Sequence, residues 1–248
     1  MKLLKVILSL TVLLLFLSGA LFAQTMQYGG TEWTVSYGNW SMAAGSLIQK
    51  DTKTGLARID IRLPQSGIMQ YDFTVRYNAG GYSDMAALAA GKLHAGFGAH
   101  IGVDKAFLGK PSWGNGRSYL LWLNLDTAVP MNSKHYGIRA QVYKSTDNVN
   151  MDLMDAYNID IVKALGATLP WAINELSKNL NVDIPIKIVI NANTGEIKVY
   201  DPTIDPNRYG YAYAYVFKLD PAMLKGNYVS IRTNSLSAVF GNGAVSIK

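Results

Sequence analysis

The sequence predicts an all-β protein, a two-sheet antiparallel sandwich with a short helical insertion, behind an export signal. Three observations predict it. In Tyr209-Gly210-Tyr211-Ala212-Tyr213-Ala214-Tyr215-Val216-Phe217, aromatic rings occupy every second residue. Side chains alternate faces along a strand, so five rings share one face and the small residues and Val216 share the other. The same period of two recurs through most of the chain. Only residues 145–183 break that rhythm.

The chain opens with Met1-Lys2-Leu3-Leu4-Lys5, an apolar run from Val6 to Leu17, and Ser18-Gly19-Ala20-Leu21-Phe22-Ala23. A basic start, a short apolar stretch and small residues before a cut describe a secretory signal peptide over residues 1–23, cut after Ala23. The run is short for a membrane-spanning helix. No transmembrane segment is expected after cleavage, and a lipid anchor at the cut would need a cysteine, which the chain lacks. The remaining residues, 24–248, suit one large sandwich domain. Without Lys2 and Lys5, 21 basic residues face 17 acidic ones, a charge of about +4 spread along the chain. No Lys/Arg cluster marks a nucleic-acid surface. An exported chain without cysteine must hold its fold by its core alone, which suits a cell-envelope protein. The expected address is periplasm, outer cell surface or medium.

Trp33 to Tyr37 alternates as an edge strand does, and Gly45 to Gln49 is a second strand closed by the turn-rich Lys50 to Gly55. In Ala57 to Leu63, Ile59, Ile61 and Leu63 point one way and Arg58, Asp60 and Arg62 the other. Tyr71 to Tyr77 repeats the pattern after a turn at Pro64 to Gly67. Asn78 to Ala90 reads as a small-residue loop or helical turn. Leu93 to Ile101 is interrupted by glycines, as in a strand approached closely by a neighbour. The loop Lys110-Pro111-Ser112-Trp113-Gly114-Asn115-Gly116 feeds Ser118 to Leu125, apolar on both faces and therefore central. Gly137 to Tyr143 alternates with Ile138, Ala140 and Val142 inward.

Leu169, Ile173, Leu176 and Leu180 step by four, three and four, one face of a helix. Thr168 caps it, and Pro170 is tolerated in its first turn. A helical insert near 155–182 is expected to lie on the sandwich, with a further strand near Val149 to Met154. Strands resume at Ile186 to Ile190, turn at Asn191-Ala192-Asn193-Thr194-Gly195 and return through Glu196 to Tyr200. Tyr228 to Arg232, Leu236 to Phe240 and Ala244 to Ile247 close the chain, about a dozen strands in all.

The hairpin Ile186 to Tyr200, the ending Gly226 to Ile231 with Leu236 to Phe240, and the early stretch from Gly45 to Phe73 resemble concanavalin A-like lectin/glucanase sandwiches, including laminin G-like domains. The resemblance covers most of residues 30–248 and is one of layout. It implies a two-sheet jelly roll with a concave face that often holds a glycan. Such folds serve lectins, glycosidases, adhesion modules and structural domains, so the fold leaves the function open.

Glycoside hydrolysis needs two carboxyl groups about 5–5.5 Å or roughly 6.5–9.5 Å apart. The glucanase branch carries Glu-x-Asp-x-(x)-Glu on one strand. Here Glu32, Glu175 and Glu196 are far apart, and Asp152 and Asp155 fall on opposite faces of a strand. His94 and His100 share a strand face, but no nucleophile elbow or zinc-type spacing accompanies them or His135. Calcium is the one cofactor with candidate oxygens: Asp201, Asp205 and Asn207 in one loop, Asp147, Asn148 and Asn150 in another. Neither has the dense pattern of a dedicated loop, and both read as turn-forming residues.

The candidate ligand surface is the aromatic row Tyr209, Tyr211, Tyr213 and Tyr215, with Trp113 as a rim platform. Flat amphipathic rings stack on a sugar face while hydroxyls bond its edge. The small residues between them are expected to pack against the opposing sheet and leave the tyrosines outward. Cross-strand aromatic pairs that merely stabilise the sheet are the structural counterpart. The expected function is non-catalytic recognition of a polysaccharide. The alternatives are an assembly protein that binds another envelope protein, and a glycoside hydrolase.

Overall fold

A computed structural model describes residues 24–28, 30–80, 86–87, 90–105, 112–178, 181–200 and 214–247. The strands are β1 Thr25–Tyr28, β2 Thr31–Tyr37, β3 Trp40–Ala43, β4 Ser46–Gln49, β5 Ala57–Arg62, β6 Ile68–Gly80, β7 His94–Val103, β8 Ser118–Asp126, β9 Gly137–Ser145, β10 Met151–Asp160, β11 Ile184–Asn191, β12 Glu196–Tyr200, β13 Ala214–Lys218, β14 Tyr228–Asn234 and β15 Leu236–Ile247. Two short helices, α1 Ile161–Ala164 and α2 Leu169–Lys178, separate β10 from β11. An eight-stranded sheet runs β1-β2-β5-β14-β7-β8-β9-β10, and a seven-stranded sheet runs β13-β12-β11-β6-β15-β4-β3. Every pairing is antiparallel. The chain crosses between sheets repeatedly, so the fold is the expected two-sheet jelly-roll sandwich. Among the described residues, no helix is long and apolar enough to cross a membrane.

Alternation sets the core. Ile59 and Ile61 of β5, Val75 of β6, Leu125 of β8, Val142 of β9, Ile190 of β11, Ile197 of β12 and Phe240 of β15 are buried between the sheets. The hairpin between β11 and β12 turns at Gly195, where φ is +80° and an added Cβ would lie 1.9 Å from the Leu219 carbonyl oxygen. Glycine is required there for both conformation and space.

The elements depart from the sequence reading in three places. The stretch 33–37 is not an edge, because β1 pairs outside β2. β1 and β3, four-residue strands, were not read from the sequence. β10 continues through 155–160, so helix begins only at Ile161. Asp160 ends the strand and caps α1, its carboxylate accepting from the Lys163 N–H. In α2, Ala172 and Ile173 are buried, whereas Trp171 is exposed.

β8 lies centrally and is buried on both faces, as its composition predicts. The glycines of β7 explain how. A Cβ on Gly96 would meet the Trp122 ring at 2.4 Å, and one on Gly98 would lie 2.1 Å from the Leu121 oxygen and 2.9 Å from the Trp122 ring. The indole of Trp122 therefore lies across β7 in the space that the missing side chains leave.

Replacing Gly98 by Ala is expected to destabilise the protein by about 1–3 kcal/mol, because backbone and a buried indole must both move. Urea denaturation measures it, and an unchanged midpoint would mean that Trp122 is not seated on β7.

Candidate functional site

Strand register assembles the outer face of the eight-stranded sheet from six strands. Arg58, Arg232, Gly98, Trp122, Gln141 and Asn158 form one continuous row across β5, β14, β7, β8, β9 and β10. From Arg232 to Asn158 this row spans four strand spacings, roughly 19 Å at about 4.8 Å each. A parallel row runs Asp60, Ser230, His100, Leu120, Tyr143. The face opposite the core is thus polar in type, yet much of it is buried: Arg58, His100, Ser230 and Arg232 are fully covered and Asp60 nearly so.

These groups are linked to one another in a chain. Asp60 is paired with Arg58 at 3.3 Å and accepts from the hydroxyls of Ser36 and Ser230. The Ser230 hydroxyl accepts from Asn115 Nδ2 at 2.8 Å. Arg232 donates through Nη1 to the Trp113 carbonyl at 2.6 Å and through Nη2 to the Ser112 carbonyl at 3.0 Å. Its Nη1 is also 3.2 Å from His100 Nε2. A guanidinium only donates, so Nε2 is the acceptor and the His100 proton sits on Nδ1, facing the Ser118 hydroxyl at 3.2 Å. Ser118 in turn donates to the Asn115 carbonyl. Burial first, then the Arg232 and Arg58 charges, hold His100 well below the ordinary histidine range, so it is neutral. Burial, and then Arg58, push Arg232 down to about 9, which leaves it a cation at neutral pH.

This buried layer fixes the loop that carries Trp113. Gly114 packs so closely on the 147–150 loop that a Cβ would lie 2.1 Å from the Asp147 oxygen. Asn115 N–H donates to Ser145 Oγ, Gly116 N–H to Asn148 Oδ1, and Arg117 N–H to Asp104 Oδ1. The Trp113 ring rests over the Arg232 guanidinium, 5.4 Å from its centroid, with 48% of the residue exposed. Sequence reasoning singled out Trp113 but not Arg232, which looked like one more outward charge on an alternating strand.

At the other end of the row lies a cluster that the sequence did not announce. The Tyr143 hydroxyl donates to Gln141 Oε1 at 3.0 Å and lies 3.2 Å from His135 Nδ1. The rings of His135 and Tyr143 stack at 6.4 Å with planes 7° apart. Gln141 Nε2 donates to Asn158 Oδ1, Asn158 Nδ2 to the Lys134 carbonyl, and Asn124 Nδ2 to the His135 carbonyl. Burial, then Lys134, keeps His135 below its usual range. Nearby, Arg139 reaches Asp160 at 3.3 Å. These residues are separated in sequence and converge only because β8, β9 and β10 are neighbours.

Of the aromatic row, Tyr215 is placed differently from the expectation. Tyr215 is 9% and Phe217 4% exposed, while Val216 between them is 57% exposed. Register with β12 pairs Tyr215 with Val199 and Phe217 with Ile197, whose side chains face the core. The rings thus point between the sheets and the intervening residue points out. An aromatic ring removes far more apolar surface from water than alanine or valine does, so burying the ring face is the favoured choice. Tyr209, Tyr211 and Tyr213 lie outside the described residues.

The remaining candidates are scattered. His94 and His100 do share a strand face, but His94 is half exposed and paired with Asp126 at 2.8 Å. Glu32, Glu175 and Glu196 stand on β2, α2 and β12. Asp155 pairs with Lys134 at the surface. Of the two calcium candidates, the Asp147 loop folds on itself: Asp147 Oδ1 accepts from the N–H groups of Val149 and Asn150, its Oδ2 accepts from Asn150 Nδ2, and Asn148 Oδ1 is taken by Gly116. These oxygens face the loop's own donors and do not fit a cation. The other, with Asp201, Asp205 and Asn207, lies outside the described residues. Among the described residues, no three His, Cys, Asp or Glu side chains come together.

No protein-family model matches the chain, and no curated protein matches it in sequence. Solved structures similar to it include carbohydrate recognition and lectin domains. The potassium-bound carbohydrate recognition domain of Emp46p is 10% identical, with 84% of this chain and 85% of that one covered and a TM-score of 0.44. A lectin from Bauhinia forficata in complex with GalNAc is 10% identical over 88% and 93% of the two chains, at a TM-score of 0.43. A protein with a galectin-like fold from Bacillus subtilis is 9% identical over 87% and 88%, at 0.41. At about one identical residue in ten, these are likenesses of layout and carry no site.

The buried His100 gives a signed pH dependence. Its folded pKa lies below the 6.5 of the free side chain. Unfolded chains therefore bind a proton that folded ones refuse, and stability falls as pH drops below about 6.5. His94, raised chiefly by its hydrogen bond to Asp126, acts in the opposite sense: its contribution is full below about 6.5 and is lost as pH rises through the folded value. His100→Gln is expected to flatten the acid limb by up to one proton, about 1.4 kcal/mol per pH unit. Chemical denaturation at pH 5, 6 and 7 measures this, and an unchanged slope would place His100 in contact with solvent.

Proposed function

We propose that the protein is an exported, non-catalytic binding module that takes a polysaccharide on the outer face of its eight-stranded sheet. The observation that carries this reading is Trp113. A large flat ring is held exposed on a loop that a buried arginine clamps by two charge-assisted hydrogen bonds, so its presentation costs no ordering when a ligand arrives. Beyond it, the row leads to amide, imidazole, hydroxyl and guanidinium groups of Asn158, His135, Tyr143 and Arg139, all half-buried. An aromatic platform with polar groups spaced along a row is the chemistry that a pyranose chain demands: apolar ring faces for stacking and hydroxyls for hydrogen bonding.

Export rests on the leader-like residues 1–23, and the cell envelope or medium is the proposed place of action. A polysaccharide there is the proposed partner. Trp113, a rim platform in the sequence reading, is the candidate that carries the proposal, because Tyr215 is turned into the sandwich.

Trp113→Ala is expected to weaken glycan binding by tenfold or more, in the range of about 1–3 kcal/mol for a lost stacking ring, with an unchanged thermal midpoint. Trp113→Phe retains part of the affinity. A glycan array followed by calorimetry on the best binder measures both. Binding that is equal in Trp113→Ala, or no binding to any glycan by a folded protein, would contradict the reading.

A further inference from the structure

Among the described residues, the inward face of the sandwich is drier at one end of β11 than at the other. Along β11, Ile188 and Ile190 are buried, at 4% and 0% exposure, whereas Ile186 and Ile184, on the same inward face, are only half-buried. The same holds for Val199 of β12, Leu123 of β8, Ala140 of β9 and Ile161 of α1. Together these six residues border a cavity of about 140 Å³ between the sheets. No charged side chain lines it among the described residues. Tyr215 and Phe217 form its wall on the β13 side. That wall is tied to the other sheet by Tyr157, whose hydroxyl donates to the Lys218 carbonyl at 2.8 Å and whose ring meets Phe217 edge-on at 5.1 Å.

We propose that this cavity is a binding site for a small uncharged hydrocarbon group, a single aromatic ring or the end of an alkyl chain. Inward aliphatic side chains are left half-wet although neighbouring positions on the same strands are dry, so an apolar occupant would remove from water the surface that the described residues leave uncovered. The lining offers water too few polar partners to hold it. The size sets the occupant: an apolar cavity of about 150 Å³ stays dry and takes benzene. The site is separate from the Trp113 face, on the opposite side of the eight-stranded sheet, and stands or falls independently of glycan binding.

Benzene titrated into the isoleucine-methyl-labelled protein tests this. The methyl signals of Ile161, Ile184, Ile186 and Ile188 are expected to shift saturably, and those of Ile59, Ile61 and Ile231 to stay in place. Benzoate, of the same size but charged, is expected to leave all of them unmoved. Ala140→Leu, which puts its side chain into the cavity, is expected to weaken benzene binding at least tenfold. Val199→Phe serves as a second filling variant should the first fail to fold. Absence of shifts up to benzene saturation, shifts spread over all isoleucines, or undiminished binding in a folded filling variant would overturn the proposal.

Discussion

A buried arginine organises the polar side of this molecule. Arg232 stands at the centre of the eight-stranded sheet with no exposure to water, and among the described residues no carboxylate pairs with it. The nearest pair, Arg58 with Asp60, is already matched. Withdrawing a cation from water costs several kcal/mol unless its donors find acceptors. Here the acceptors are two main-chain carbonyls of the Ser112–Trp113 segment and the Nε2 of His100. The loop is thereby fixed by the sheet beneath it. His100 must remain neutral to accept, and Trp113 is left exposed above the guanidinium.

The two faces of the eight-stranded sheet solve different problems. The inner face follows simple alternation and joins the seven-stranded sheet through aliphatic and aromatic contacts. The outer face is covered over β5, β14 and β7 by loops whose N–H groups are satisfied by Asn148, Asp104 and Ser145. It changes to half-buried polar groups over β9 and β10. The glycines of β7 link these regimes, because they let Trp122 lie flat between the arginine layer and the Gln141–Asn158 pair. A rigid aromatic platform and a row of polar groups then lie on one surface, and the surface is built on strands rather than on free loops.

Much of the fold was legible in the sequence because a period of two is a strong signal in strands of six residues or more. β5, β9, β11 and β14 lie where the sequence pattern placed them, and β8 where its apolar run did. β1 and β3, four residues each, did not announce themselves. Alternation also says which residues share a face but not which face is in. That choice went against the reading at Tyr215 and Phe217, where small neighbours suggested close packing and the larger area of the rings prevailed. Burial of Arg58, Asp60 and Arg232 was illegible for a related reason: their period fits a solvated face, and only the loops that return over that face cover them. The His135, Gln141, Tyr143 and Asn158 cluster depends on strand order, which no local pattern encodes.

The clamp on Trp113 can be measured directly by amide hydrogen exchange in Arg232→Met, which keeps the volume of the side chain and removes its donors. The amides of Gly114, Asn115, Gly116 and Arg117 are hydrogen-bonded in the native loop. Loss of two charge-assisted bonds is expected to speed their exchange on the order of tenfold or more, while β8 and β9 keep their protection. Unchanged exchange across 114–117 in a folded Arg232→Met protein would show that the loop stands without the arginine.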